Sequence, residues 1–386
     1  MIINDPHSKE QIAIVVVGYN RLKSITRLLN SLLEAHYPEK PVPLVISIDC
    51  SGDETLYQYV CDFNWPFGEK YVNIQKERLG LKHHIFQCGD LTRFFKAVVL
   101  LEDDLCVSPY FYEYVEKTVD TYGEEDEIAE ISLYKNETNG YAYLPFINLQ
   151  DGCDVFLMQD VSTWGQCWTE QMWEKFVSWN SNHTDEDIRN VDMPERIKKW
   201  ERAWSKYYNA YVVDTGKHVL YPNISLTTNF SDAGEHGGTN NSIVQVNLLQ
   251  GRKRYELRPV YELIKYDIYG NNESIYDWLG LNANDLCLDL YGIRNDRSKR
   301  YLISTKKYSY KIINSFALNM RPIELNIKYN LKGEGIYLYD TAEGSGNDKG
   351  YSIYLASYLL RAFNSGLLLK HVIGLYKNKI IRKIKK

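Results

Sequence analysis

The sequence of 386 residues lacks the long apolar runs that mark membrane-spanning helices. No stretch approaches the roughly 18 uncharged apolar residues that such a helix needs. The opening residues, MIINDPHSKEQ, lack a basic region followed by an apolar core, so they do not predict a secretory signal peptide. We therefore expect a cytoplasmic protein that is either soluble or attached to the inner face of a membrane.

Paired cysteines and glycine-rich phosphate loops are also absent. The seven cysteines are scattered and never form a C-x-x-C pair, which favours free thiols in a reducing compartment over disulfides or a zinc site. No predicted strand is followed by G-x-G-x-x-G, by G-x-x-x-x-G-K, or by the G-x-G-T-R start of sugar nucleotidyltransferases. A bound nucleotide would therefore need something other than a glycine cradle to neutralise its phosphates.

The composition is that of a globular protein, with 44% hydrophobic and 25% charged residues. The net charge of −5 is unevenly distributed. Residues 240–386 contain 24 Lys and Arg against 13 Asp and Glu, a balance of +11, which leaves 21 basic and 37 acidic residues in 1–239, a balance of −16. This asymmetry predicts a domain boundary near residue 245, and the acidic first part does not suit a nucleic-acid partner.

Three continuous apolar runs predict strands that are buried on both faces of a parallel sheet. They cover residues 12–17, 43–48 and 96–101. Between the first two, leucine and isoleucine recur at helical spacing over residues 22–33. Strands that alternate with helices predict an α/β fold with a mostly parallel sheet flanked by helices. A helix is also expected to start at Ser108, followed by Pro109 in its first turn.

Polar side chains follow each of the three runs. Asn20 and Arg21 follow the first, Asp49 follows the second, and three acidic residues, 102–104, follow the third. Ligands bind at the carboxyl ends of the strands in such sheets. Three adjacent carboxylates repel one another unless a cation lies among them, and their oxygens suit Mg²⁺ or Mn²⁺, which bridges to a substrate diphosphate. The alternative is a solvated turn that only ends a strand.

Three further segments carry candidate residues. In residues 200–204 (WERAW), Glu201 lies between two tryptophans. Such apolar surroundings would raise the pKa of its carboxyl group and let it act as a base near neutrality. The alternative is an ordinary surface helix with an exposed glutamate. Residues 231–238 form a Gly-rich loop with one histidine, His236, which predicts a mobile lid or else a surface turn. Trp164 opens an aromatic cluster at helical spacing, which favours a core position for each ring; the alternative for Trp164, beside Gly165, is the floor of a sugar pocket.

Four segments in a fixed order carry a family resemblance. They are residues 14–21 (IVVVGYNR), 46–50 (ISIDC), 100–114 (LLEDDLCVSPYFYEY) and 221–230 (YPNISLTTNF). Together they resemble the N-acetylglucosaminyltransferase I family, which includes the protein O-mannose β-1,2-N-acetylglucosaminyltransferase, and its bacterial relatives. The resemblance covers residues 10–240. It implies a Rossmann-like GT-A fold and an inverting glycosyltransferase.

The resemblance also implies roles for the residues that face the donor. Asn20 and Arg21 would approach the nucleotide of a UDP-sugar, and Asp49 would hydrogen-bond the edge of the uracil. Glu102 and Asp103 would hold the ribose and the donor sugar.

A metal ligand, a lid and a base follow from the same resemblance. Asp104 would bind Mn²⁺ (or Mg²⁺) directly, and the loop that contains His236 would close over the donor. The base of the family lies in a Trp-Asp-Asp-Trp stretch, whereas residues 200–204 are one residue longer and hold a single acid. Glu201 is therefore the candidate base, with Asp192 as the alternative.

The predicted function is the metal-dependent, inverting transfer of a sugar, GlcNAc or another hexose, from a UDP-sugar to a glycan or lipid-linked saccharide acceptor. We expect this activity to serve bacterial polysaccharide synthesis, because the first strand begins near Ile12 and leaves no room for the anchor and stem of Golgi members. A non-catalytic carbohydrate- or nucleotide-binding protein on a transferase fold is one alternative, and another nucleotide-sugar enzyme is a second. The intact acidic triplet disfavours the first, and the missing G-x-G-T-R loop disfavours the second.

The chain is thus expected to have three parts. Residues 1–245 form the GT-A domain, and residues 246–350 form a smaller mixed α/β extension of unknown role, with strands expected at 323–329 and 335–339. Residues 351–386 form a basic amphipathic tail, in which seven basic residues and no acidic one occur from Lys370 onward. Such a tail suits a helix at an anionic membrane surface. A frayed end whose apolar residues pack on the preceding domain is the alternative.

Overall fold

The computed structural model describes residues 8–201, 203–233, 244–294, 296, 298–351, 355, 358–359 and 364–384. The chain divides into two compact units, the first comprising residues 1–141 and 148–274 and the second residues 142–147 and 275–386. The chain therefore passes from the first unit to the second after Ser274, which is later than the boundary expected near residue 245. The reason is that Lys265 and Tyr266 still pair with the large sheet of the first unit.

The described residues form strands and helices in alternation over the first half of the chain. The strands are β1 (Ile12–Gly18), β2 (Leu44–Ile48), β3 (Lys70–Ile74), β4 (Ala97–Glu102), β5 (Leu105–Val107), β6 (Ile128–Ser132), β7 (Thr138–Asn139), β8 (Leu144–Pro145), β9 (Val155–Met158), β10 (Gln166–Thr169), β11 (His218–Pro222), β12 (Thr227–Asn229), β13 (Lys265–Tyr266), β14 (Leu286–Asp289), β15 (Tyr301–Ser304), β16 (Lys306–Ala317) and β17 (Gly335–Tyr351). The helices are α1 (Leu22–Leu33), α2 (Glu54–Asp62), α3 (Leu81–Gly89), α4 (Phe111–Tyr122), α5 (Glu170–Ser181), α6 (Asp185–Asn190), α7 (Glu195–Lys198), α8 (Trp204–Asp214), α9 (Ile275–Leu279), α10 (Leu325–Lys328) and α11 (Ser365–Ile384).

A nine-stranded sheet is the centre of the first unit, in the order β13-β9-β11-β6-β10-β4-β1-β2-β3. Strands β4, β1, β2 and β3 are parallel neighbours, and so are β6 with β11 and β9 with β13. Strand β10 runs antiparallel between β4 and β6. Every residue of β1 and β2 is buried, as continuous apolar runs require. The predicted α/β class, with a mostly parallel sheet flanked by helices, is confirmed.

Several local predictions differ from the structure. Helix α4 begins at Phe111 rather than at Ser108, because the Ser108 hydroxyl donates to the carbonyl of Leu249 and accepts only weakly, at 3.4 Å, from the amide of Tyr110. The segment 221–230 contains the end of β11 and all of β12. Pro222 ends β11, since proline has no amide hydrogen to donate to a strand ladder.

The second unit is built on a four-stranded sheet in the order β14-β15-β17-β16. Its core contains Leu288, Ile303, Phe316 and Leu338. Residues 335–339 open β17 as predicted, but residues 323–329 contain helix α10 rather than a strand. The buried side chain of Asn326 accepts from the amides of residues 319 and 320 and donates to the carbonyls of residues 320 and 323, which fixes a compact turn.

Helix α11 is the longest helix, with 20 residues. Among the residues that the structure describes, no helix combines the length and the apolar character needed to cross a membrane.

A fully buried carboxyl group lies in the middle of the nine-stranded sheet. Glu130 of β6 accepts hydrogen bonds at Oε2 from Gln166 Nε2 (2.6 Å) and Trp168 Nε1 (3.2 Å), both on neighbouring β10. The other oxygens of the pair, Glu130 Oε1 and Gln166 Oε1, have no hydrogen-bond partner among the described residues. Burial raises the pKa of Glu130 to about 8, against the smaller lowering effect of these two donors. The group is therefore a protonated acid at neutral pH.

Candidate active site

A pocket of about 440 Å³ opens in the first unit at the carboxyl ends of β1, β2 and β4. Because these strands are parallel neighbours, the polar residues that follow them meet at one edge of the sheet. The pocket brings together six residues predicted from the sequence: Asn20, Arg21, Asp49, Glu102, Asp103 and Asp104.

Arg21 lies at the centre of the acidic triplet. Its Nε and Nη2 both donate to the carboxylate of Asp103, with Nε at 3.2 Å from Oδ2. Its Nη1 donates to Asp104 Oδ2 at 3.2 Å and to the carbonyl oxygen of Asp232 at 3.2 Å. Burial lowers the pKa of the guanidinium, but the hydrogen bonds and charges of Asp103 and Asp104 outweigh it and raise the pKa above its ordinary value. Arg21 is therefore a fixed positive charge in the pocket wall.

One guanidinium does not neutralise three carboxylates. Burial, followed by the charges of Asp104 and Asp103, raises the pKa of Glu102 to about 8. Burial also raises the pKa of Asp103 to about 6, although its hydrogen bond to Arg21 opposes the rise. The pKa of Asp104 is raised for the same reason. The triplet thus holds more negative charge than its protein surroundings stabilise.

Asn229 at the end of β12 and Asp232 in the loop after it complete this side of the pocket. Asn229 Nδ2 donates to Asp104 Oδ1 at 3.1 Å. The carboxylate of Asp232 accepts from Ser24 Oγ at 2.7 Å and from the guanidinium of Arg27. Burial raises the pKa of Asp232, but the hydrogen bonds from Arg27 and Ser24 outweigh it and lower the pKa below its ordinary value. These contacts tie the loop to α1.

Asp49 joins the end of β2 to the loop before α3 on another side of the pocket. Its Oδ1 accepts from the amides of Cys50 (2.9 Å) and Leu79 (2.8 Å), and its Oδ2 accepts from the amide of Gly80 (3.0 Å). A carboxylate has about four acceptor positions, two on each oxygen. One position on Oδ2 therefore remains for a ligand.

Aromatic rings form part of the pocket wall. Trp164 and Trp204 both line it, and Trp164 packs edge-on against Tyr134 with ring centroids 4.8 Å apart. Trp164 is followed by Gly165 with φ +104°, where an added Cβ would lie 2.9 Å from Thr227 Cγ2. The chain needs glycine at this position, because the backbone is left-handed and approaches Thr227 closely. The remaining tryptophans of the cluster are core, with Trp168 on β10 and the others on α5.

Two predicted residues do not line the pocket, and a third lies outside the described residues. Glu201 is exposed and lies two positions before Ala203, which does line it. Asp192 is exposed, and its Oδ1 accepts from the hydroxyl of Tyr269 at 2.8 Å. His236 and the rest of the predicted lid at residues 234–238 lie outside the described residues.

The carboxylates of the pocket suit a metal ion that a substrate helps to bind, rather than a metal ion held by protein ligands alone. Among the described residues, no group of three or more His, Cys, Asp or Glu side chains is arranged to hold a metal ion. Mg²⁺, however, is usually bound through one or two carboxylates together with substrate phosphates and water. Asp104 receives one hydrogen bond on each oxygen, so acceptor positions remain on both. Asp104, with Glu102 nearby in the pocket, therefore fits such an ion.

The sequence interpretation missed four pocket residues. Arg78 lies in the loop after β3, with its guanidinium 4.9 Å from the ring centroid of Tyr19. His84 on α3 shares a hydrogen bond with the Ser47 hydroxyl at 2.7 Å, and burial lowers the pKa of its imidazole. The others are Asn229 and Asp232. The sequence did not predict β3, because all its residues are only partly buried and it therefore has no continuous apolar run.

Comparison with known proteins finds similarity only among solved structures. No protein-family model and no curated protein matches the sequence. The TarS 1-349 fragment of S. aureus in complex with UDP-GlcNAc is 14% identical over 58% of this chain and 60% of its own, with a TM-score of 0.36. The mannosyltransferase PcManGT from Pyrobaculum calidifontis, in complex with GDP-Man and Mn²⁺, is 13% identical over 42% of this chain and 46% of its own, with a TM-score of 0.32. The chain thus spans less than two thirds of the length of these proteins. Because the identities and TM-scores are this low, the similarities carry no argument about function.

Proposed function

We propose that the first unit is a metal-dependent, inverting glycosyltransferase of the GT-A type, related to the N-acetylglucosaminyltransferase I family. It transfers a sugar, GlcNAc or another hexose, from a UDP-sugar to a glycan or a lipid-linked saccharide. The observation that carries the proposal is the pocket at the carboxyl edge of the sheet, where Arg21 binds Asp103 and Asp104 of the acidic triplet.

The charge of the pocket supports a donor that binds together with a cation. The described lining contains five acidic side chains, on Asp49, Asp232 and residues 102–104, against the guanidinium groups of Arg21 and Arg78. Two of the five contribute less to this charge, because the pKa of Glu102 is raised to about 8 and Asp232 is paired with Arg27. A diphosphate entering alone would meet net repulsion. A divalent cation held by Asp104 reverses this, and when bound it would stabilise the negative charge that develops on the departing diphosphate.

The two ends of the pocket differ in the way that a nucleotide-sugar requires. At one end, the free acceptor position on Asp49 Oδ2 is available for the N–H of a uracil edge. At the other end, the ring of Trp164 is partly exposed and can pack against a pyranose. Arg21 and Arg78 then lie on the wall where the diphosphate would bind.

The proposed reaction is a single displacement at the anomeric carbon. Glu201 would take the proton from the acceptor hydroxyl on the face opposite the departing diphosphate. Its position, two residues before the pocket wall, supports it over Asp192, which already binds the Tyr269 hydroxyl.

The proposed setting is polysaccharide synthesis in a bacterial cytoplasm. All seven cysteines are free, which supports a reducing compartment.

Donor hydrolysis tests the function without knowledge of the acceptor. The purified chain is incubated with UDP-GlcNAc, other UDP-hexoses or GDP-mannose, with Mn²⁺, Mg²⁺ or EDTA, and released nucleoside diphosphate is measured. We expect slow release of UDP from one UDP-sugar that requires the metal. Binding of UDP-sugar without any release would instead support a non-catalytic binding protein, and release of pyrophosphate from UTP with a sugar phosphate would support a nucleotidyltransferase.

A matched pair of variants ties the activity to the pocket. Asp104→Asn should abolish release at sub-saturating Mn²⁺ while the chain stays folded, because the substitution keeps the shape of the side chain and removes one charge from a triplet of like charges. Its control is Asp53→Asn at the same edge of the sheet. Asp53 only caps α2, by accepting from the amide of Leu56 at 3.1 Å, and asparagine caps equally well. Equal losses in both variants would contradict the role given to Asp104.

A further inference from the structure

Helix α11 presents an apolar stripe that the described part of the chain leaves uncovered. Leu369, Val372, Ile373 and Tyr376 follow the spacing of 3, 1 and 3 residues that places side chains on one helix face. Their side chains are 60%, 39%, 47% and 65% exposed. Leu367, two residues before Leu369, is 54% exposed. An exposed apolar stripe of this length on a soluble protein marks an interaction surface.

The charge of the same helix indicates what the surface binds. Residues 365–384 contain five Lys and Arg and no Asp or Glu, and two more lysines follow at 385 and 386. Lys370 and Lys377 are exposed and lie two turns apart, on one flank of the stripe. The whole chain carries a net charge of −5, so attraction to an anionic surface must come from a local cluster such as this one.

The residues before the helix are fixed to the second unit. Leu355 and Tyr358 are buried in its core, and the Tyr358 hydroxyl donates to the carbonyl of Met320 at 2.8 Å. The alternative expected from the sequence, that the apolar residues of the tail pack on the preceding domain, therefore holds for Leu355 and Tyr358. It does not hold for the stripe of α11, which starts more than ten residues later and is exposed.

We propose that α11 docks on an anionic lipid surface, with the stripe of Leu369, Val372, Ile373 and Tyr376 in the interface and its lysines among the headgroups. A helix of 20 residues is about 30 Å long and lies in the plane of the surface. Most of the stability of a helix in a protein comes from the packing of its apolar face, so burial of the stripe in lipid also stabilises the helix. The proposal is independent of the transferase activity, because it concerns only the second unit.

Vesicle binding tests the docking directly on the full chain. We expect it to co-sediment with phosphatidylglycerol vesicles at low salt, less at 0.5 M salt, and not with phosphatidylcholine vesicles. A chain that ends at Asn364 should remain in the supernatant, and it keeps Leu355 and Tyr358 in the core. If the full chain itself stays in the supernatant with anionic vesicles, the proposal is wrong.

Substitutions separate the two components of the surface. Each cationic side chain near an anionic membrane contributes about fivefold to binding, so Lys370→Gln with Lys377→Gln should weaken it roughly thirtyfold. Lys23→Gln with Lys349→Gln changes the net charge equally on exposed lysines elsewhere and should leave binding unchanged. Equal losses in the two pairs would show that net charge, and not the helix, decides binding.

The stripe has its own variant and its own competing outcome. Val372→Ser with Ile373→Ser should weaken vesicle binding at least tenfold, because it removes buried apolar area. Light scattering on the same variants identifies the other candidate occupant. A full chain that is dimeric, becomes monomeric in the serine variant and does not bind anionic vesicles would show that the stripe binds a second copy, and the lipid proposal would be refuted.

Discussion

Replacing Glu130 with glutamine should stabilise the first unit, although the residue is completely buried. The substitution keeps the shape of the side chain and removes only its ability to ionise. Glutamine still accepts from Gln166 Nε2 and Trp168 Nε1, as the carboxyl group does now. Its amide also keeps a donor at this end of the side chain, as the O–H of the protonated carboxyl group does now.

The size of the effect follows from the raised pKa of Glu130. The carboxyl titrates at about 8 in the folded chain, against an ordinary value of 4.5. Between these values the unfolded chain binds fewer protons than the folded chain, so the stability falls as the pH rises. The loss is absent below pH 4.5, reaches about 3 kcal/mol at pH 7 and levels off near 5 kcal/mol above pH 8. Glu130→Gln should recover these amounts.

Urea unfolding at pH 5, 7 and 8.5 measures the difference directly. The midpoint of the variant should match the wild type at pH 5 and exceed it increasingly at higher pH. Glu124→Gln removes an exposed glutamate from the same unit and should follow the wild type throughout. A variant that is less stable than the wild type at pH 8.5 would refute the reasoning, since it would mean that the carboxylate itself is stabilised in the sheet.

Two further substitutions test the pocket, each beside a matched control. Glu201→Gln should lower turnover by roughly 10² to 10⁴ with little change in donor affinity, whereas Asp192→Asn should keep most of the turnover; the reverse ranking would make Asp192 the base. Gly165→Ala should lower the free energy of unfolding by about 1–3 kcal/mol, because its φ of +104° and the close approach of Thr227 both oppose a Cβ. Gly140→Ala, where an added Cβ meets nothing within 4 Å, should leave the urea midpoint unchanged.

The parallel strands and the pocket edge were predictable because they rest on local patterns. Continuous apolar runs mark β1, β2 and β4 without any knowledge of their neighbours, and the carboxyl ends of parallel strands necessarily share one edge. The residues that follow them therefore meet, whatever the loops do. The same reasoning fails for residues 323–329, where alternating apolar residues suggest a strand but the contacts of Asn326 with four backbone groups fix helix α10.

Which carboxylates remain available to a ligand depends on contacts that no local pattern contains. Asp49 and Glu102 both follow buried strands and look equivalent in the sequence. Asp49 receives two of its three amide hydrogen bonds from Leu79 and Gly80, about thirty residues away, so most of its capacity serves to hold that loop. Glu102 instead lies among like charges. Burial, followed by the charges of Asp104 and Asp103, raises its pKa to about 8. The sequence predicts where acidic groups gather, but only the fold separates those that hold the pocket together from those that remain available to a ligand.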